Sequence, residues 1–172
     1  MNPSIRRKRS RRGNTTVEFT LVGIPLMFVL ITTFEMARGM WTYQTLAYAV
    51  REGARYVTVH GKDCAAPNTC QVTIGQITSV IKSAGVGLDP NATTLTFTPA
   101  SGSATSDTIT NLLASNTTWP PSAANGVGQN VKIAVNYPFR TVLAIFWVGD
   151  GRPINDSQVF HLSASSTEPV QY

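Results

Sequence analysis

Between Phe19 and Phe34 the chain carries no charged side chain, and residues 17–34 form an apolar stretch of 18 residues. As a helix this stretch is roughly 27 Å long, enough to cross the hydrocarbon core of a bilayer. Pro25, with no N–H and a ring that crowds the preceding turn, is expected to kink the span or open it locally, and Gly23 adds softness there. Past the span, Met36, Met40, Tyr43, Ala47, Val50, Ala54 and Val57 recur at alternating spacings of 4 and 3. That is an apolar stripe of helical period. Arg38, Thr42, Thr45, Glu52 and Arg55 take much of the remaining surface, with Gly39 and Gly53 as weak points. One nearly continuous helix over residues 14–60 is the expectation; an anchor followed by a separate amphipathic helix gives the same topology.

Downstream the periodicities change. Val72, Gln76, Val80 and Ala84, flanked by Ile77 and Ile81, predict a second amphipathic helix ending at Gly85. Thr94-Leu95-Thr96-Phe97-Thr98 alternates with strand period, as does Val131-Lys132-Ile133-Ala134-Val135-Asn136-Tyr137, which Pro138 is expected to terminate. Phe160, Leu162 and Ala164 alternate in a last strand. Residues 99–129, rich in Ser, Thr, Asn, Gly and Pro, read as a long exposed loop with one helical turn near Leu112. Residues 142–148 are apolar but too short to span a membrane. They read as a buried connection or, through Phe146 and Trp147, as a segment touching the membrane. The fold class is therefore α+β: a long N-terminal transmembrane and amphipathic helix packed on a small antiparallel-sheet domain. The parts are a leader at 1–13, a transmembrane helix at 14–35, an amphipathic extension at 36–60, and a periplasmic domain at 61–172.

Charge sharpens this picture. The chain of 172 residues has a formal charge of +5. Arg6, Arg7, Lys8, Arg9, Arg11 and Arg12 supply six of its 14 basic side chains, so removing residues 1–13 leaves eight basic against nine acidic. The basicity belongs to a topogenic leader. Basic residues beside an apolar span stay cytoplasmic and send the C-terminal part across. A basic arm for nucleic acid is the competing reading, but no basic or stacking pattern recurs later. A cleaved secretory signal would need a small-x-small site, and Thr32-Thr33-Phe34-Glu35-Met36 offers none. The Arg11-Arg12 pair lacks the apolar residues that follow a twin-arginine signal.

Glu18 stands on the edge of the apolar span, directly before Phe19. An ionised carboxylate near hydrocarbon costs several kcal/mol unless it finds a partner, so its presence there points to a function. Cleavage after Gly13 would supply a cation, the new α-amine of Asn14, with Glu18 as the fifth residue of the mature chain. A snorkelling interfacial acid is the plainer alternative.

The basic leader, Gly13, Glu18 and the apolar helix together resemble a type IV pilin-like precursor. More closely, Val17-Glu18-Phe19, the helix Ala49-Val50-Arg51-Glu52-Gly53-Ala54-Arg55 and the ending Leu162-Ser163-Ala164-Ser165-Ser166-Thr167 resemble TadE-like pseudopilins of the Tad (Flp) pilus system. The chain departs from type IVa pilins, which begin their mature form with an aromatic residue where Asn14 stands. It departs from the short Flp major pilin, which has Tyr where Phe19 stands. A TadF-like assignment stays open. The resemblance implies cleavage between Gly13 and Asn14 by a prepilin peptidase, an aspartic protease of the bacterial inner membrane. It also implies other Tad pseudopilins and pilus assembly proteins as partners, and a minor role in a pilus used for adhesion and biofilm formation. The implied topology is single-pass, with a cytoplasmic N-terminus and a periplasmic domain.

Cys64 and Cys70 enclose Ala65-Ala66-Pro67-Asn68-Thr69, a turn-prone loop. In an oxidising compartment a local disulfide is the simplest reading; His60 with the two cysteines could instead begin a metal site, though without zinc-like spacing or a fourth ligand. Only His60 and His161 are histidines, and there is no nucleophile–base spacing, paired-carboxylate motif or phosphate loop. No cofactor or catalytic residue is expected. Gly126-Val127-Gly128 reads as a turn, and Trp119-Pro120-Pro121 either as an exposed contact or as a packed loop anchor. Beside the pilus component stand two other classes: an uncleaved, membrane-anchored periplasmic binding or signalling module, and a membrane enzyme whose site forms only in the fold.

Overall fold

The computed structural model describes residues 12–64, 70–141 and 159–171. Most of the basic leader, the 65–69 loop and the apolar 142–148 segment with Phe146 and Trp147 lie outside these. The dominant element is α1, Arg12–Thr58, a single helix of 47 residues, roughly 70 Å long. Its assignment is unbroken through Pro25, where the carbonyl of Leu21 loses its usual donor. The continuous rod is thus the arrangement adopted, and two separate helices are not.

The helix α2 spans Ile74–Ala84. Its start is fixed by a capping box in which the Thr73 hydroxyl accepts from the Gln76 N–H while the Gln76 side chain accepts from the Thr73 N–H. Gln76 therefore serves the cap rather than the apolar face, which runs through Ile74, Ile77 and Ile81. Four antiparallel strands follow: β1 at Thr94–Thr98, β2 at Thr105–Thr108, β3 at Asn130–Phe139 and β4 at Phe160–Pro169. Their order is β2-β1-β3-β4. Leu95, Phe97, Val131, Ile133 and Val135 turn one face toward Leu46, Ala49, Val50, Ala54 and Val57 of α1 and Ile77 and Ile81 of α2. The opposite face carries groups such as Thr96 and Ser106, whose hydroxyls bond at 2.9 Å. One buried and one polar face account for the alternation seen in the strands.

Several expectations need correction. The reading of 99–129 as an exposed loop holds in part: the helical turn expected near Leu112 is the short helix α3 at Ile109–Leu112, but the segment also contains β2 and a 3-10 turn at Ser122–Ala124. The strand β2 was hidden because Thr105-Ser106-Asp107-Thr108 has no apolar side chain; edge pairing with β1 defines it. Asp107 accepts from the Asn111 side chain and the Thr108 N–H, which hold its carboxyl below the ordinary range. Trp119 is a packed anchor: it is 3% exposed, with its ring 5.1 Å from that of Phe97 in an edge-on contact. Pro138 does not end β3, which continues through Phe139. Pairing of β3 with β1 stops at Asn136, so Pro138 has a strand neighbour on one side only, where a missing N–H is tolerated. The stripe on α1 is also rephased. Val50, Ala54 and Val57 are buried as expected, but Met36, Met40 and Tyr43 are exposed, and Leu46, Ala49 and Gly53 take the inner face.

Candidate functional site

The residues singled out from the sequence fall into two groups at opposite ends of α1. Gly13 and Asn14 lie in its first turn, and Glu18 and Phe19 in the next, both on exposed surface. The cysteines lie just past its far end. Forty residues separate Glu18 from Thr58, about 60 Å of helix, so the fold does not bring the groups together.

At the first end the helix geometry carries the chemistry. The first four N–H groups of an α-helix lack partners within it, and the positive end of the macrodipole lies there. A carboxylate in this turn is favoured; a new α-amine is not, unless an acid offsets it. Positions 14 and 18 stand in an i, i+4 relation on one helix face, neighbours across a single turn. A chain beginning at Asn14 would hold its amine within reach of the Glu18 carboxylate.

No residue of the apolar stretch beyond is buried within the isolated chain, and the stretch is long and apolar enough to cross a membrane. Its hydroxyls are internally satisfied. Thr20 donates to the Thr16 carbonyl at 2.9 Å, Thr32 to Phe28 at 2.8 Å and Thr33 to Val29 at 2.8 Å. A shallow apolar concavity beside Gly23, lined by Phe19, Met27 and Phe28, offers contact but no reactive group.

Where the apolar stretch ends, Glu35 and Arg38 pair at 3.1 Å. The Arg38 guanidinium also lies 4.5 Å over the ring of Phe139 and donates to the Arg140 carbonyl. One side chain thus ties the end of the apolar stretch to the end of β3. Sequence reasoning placed Arg38 on the polar surface and missed this clamp, since its partners are about a hundred positions away.

At the far end Cys64 and Cys70 stand at disulfide distance, with Cα atoms 5.6 Å apart. His60 is turned onto Tyr56, ring centroids 4.3 Å apart, with its Nδ1 against the Tyr56 carbonyl. Among the described residues no group of three His, Cys, Asp or Glu side chains could hold a metal ion.

A comparison with protein-family models finds that residues 13–55 are similar to the TadE-like protein family. The match opens at Gly13 and closes in the buried half of α1, so it covers Val17-Glu18-Phe19 and the helix through Arg55 but not the ending Leu162–Thr167. No curated protein and no solved structure matches the chain.

Proposed function

We propose that this chain is a TadE-like pseudopilin. It is cut after Gly13 by a prepilin peptidase and serves as a minor structural or assembly component of a Tad (Flp) pilus used in adhesion and biofilm formation. The observation that carries the reading is the family match over the start of a helix that joins apolar stretch to domain core. The family match begins at Gly13, and the helix that follows runs without a break from the apolar anchor into the core of the domain.

The leader holds the basic side chains on the cytoplasmic face, so the domain crosses to the periplasm of a bacterial inner membrane. A local disulfide between Cys64 and Cys70 suits that compartment. After cleavage the α-amine of Asn14 meets a carboxylate at Glu18, within the chain or on a neighbouring subunit, and Phe19 leads the apolar surface that other Tad pseudopilins and assembly proteins would meet. The rigid coupling of anchor to domain suits a structural part, because a displacement of the helix moves the whole domain. Nucleic acid has no place in this reading.

Mass measurement of the membrane-extracted protein tests it. Loss of residues 1–13 is expected; an intact leader would favour an uncleaved anchored module instead.

A further inference from the structure

Among the described residues no neck separates the sheet domain from the membrane, and we infer that its near end rests in the phospholipid headgroup layer through Trp41 and Phe160. This rests on the reading of residues 17–34 as the span. The charge-free stretch ends at Phe34, and the Glu35–Arg38 pair marks the exit. Contact between helix and sheet begins almost at once, since a Cβ placed on Gly39 would lie 3.7 Å from the ring of Phe139. Gly39 is five residues beyond Phe34, a rise of about 7.5 Å. The polar layer on one side of a bilayer is roughly 5–8 Å deep. The end of the sheet is therefore level with the headgroups.

The side chains there suit that layer. Phe160 pairs with Phe139 across β3 and β4, yet is 65% exposed. Trp41 is 71% exposed on the helix; its Cα stands about 10.5 Å beyond Phe34, and its side chain leans back toward the helix N-terminus, which returns the ring to the headgroup layer. Charge does not oppose this contact. Between Phe34 and Arg51 only Glu35 and Arg38 are charged; the Glu35 side chain is 14% exposed, and Arg38 is turned to the sheet. Arg140, exposed at the end of the sheet, supplies a cation for lipid phosphate. Aromatic rings at a membrane boundary with a cation beside them make an interfacial belt. Here the belt is built from both the helix and the sheet, so it would set the upright posture of the domain as well as the depth of the anchor.

The test uses the full chain in vesicles of phosphatidylethanolamine and phosphatidylglycerol, with lipids brominated either near the headgroup or at the tail end. Subtracting the emission of Trp41→Phe from that of the unaltered protein isolates Trp41, since the signals of Trp119 and Trp147 cancel in the difference. Headgroup-proximal bromine should quench the Trp41 emission strongly, and tail-end bromine much less. In the Trp41→Phe background, Phe160→Trp should give a component quenched in the same way, whereas Tyr48→Trp should respond to aqueous iodide. Trp41 quenched by iodide alone, or shielded from both quenchers as under a protein partner, overturns the inference. Failure of the chain to float with the vesicles would instead refute the anchor.

Discussion

Ile81 of α2 occupies the space that Gly53 of α1 leaves empty. A Cβ on Gly53 would meet the Ile81 Cδ1 atom at 2.7 Å and Cγ1 closer still, with Ile133 Cδ1 at 3.8 Å behind them. Gly53 is thus the point where the two helices and the sheet close on one another, and the absence of a side chain sets their separation.

Gly53→Ala should destabilise the domain by about 1–2 kcal/mol, since overpacking a buried contact outweighs the gain of about 1 kcal/mol in helix propensity. Thermal unfolding followed by circular dichroism reads this directly. Adding Ile81→Val, which shortens the intruding side chain, should recover part of the loss. A more stable Gly53→Ala variant would show that the contact has room to spare.

The cysteine pair makes a separate claim. Protein recovered without reductant should resist alkylation at Cys64 and Cys70. Replacing both with Ser should lower domain stability by about 2 kcal/mol, the scale for a short closed loop. The anchor should be untouched. Two free thiols after rapid alkylation of freshly recovered protein would count against the bond.

What the sequence discloses follows the range of each interaction. The strand Thr94–Thr98 is legible because its alternation matches a sheet with one wet and one dry face. The helix Ile74–Ala84 is legible because its cap and apolar period are local. Period alone does not say which neighbour a stripe meets, so Met36, Met40 and Tyr43 read as inner-facing although the domain turns Leu46 and Ala49 inward. Gly53 reads as a weak point in a helix until Ile81 is seen beside it. The candidate site divides in the same way. Gly13, Asn14 and Glu18 are close in sequence and their chemistry can be read there; the reach of Arg38 to Arg140 depends on the completed fold.

Processing should depend on the size of residue 13. Gly13 has no side chain to obstruct close approach of a peptidase to the backbone. Gly13→Val should leave the full-length precursor in the membrane, seen as an unshifted mass. Trimming at the wild-type rate would move the junction elsewhere.

In the proposed function Glu18 is where processing and assembly meet. Cleavage before Asn14 would place a cation one helical turn from its carboxylate, at the edge of the apolar stretch. Pairing within one chain would offset the amine against the helix dipole. Pairing between chains would do more, because an ionised group left alone near hydrocarbon is costly, and that cost would favour one stagger between neighbouring helices. Glu18→Gln keeps the shape and much of the hydrogen bonding but removes the charge. It should insert normally and be largely cleaved. A lost pair worth about 1–2 kcal/mol would then lower recovery of pilus partners by roughly five- to thirtyfold, with pilus output falling alongside. An acid that merely snorkels to the interface would leave both readouts at wild-type levels, and that result would rule out the charge pair.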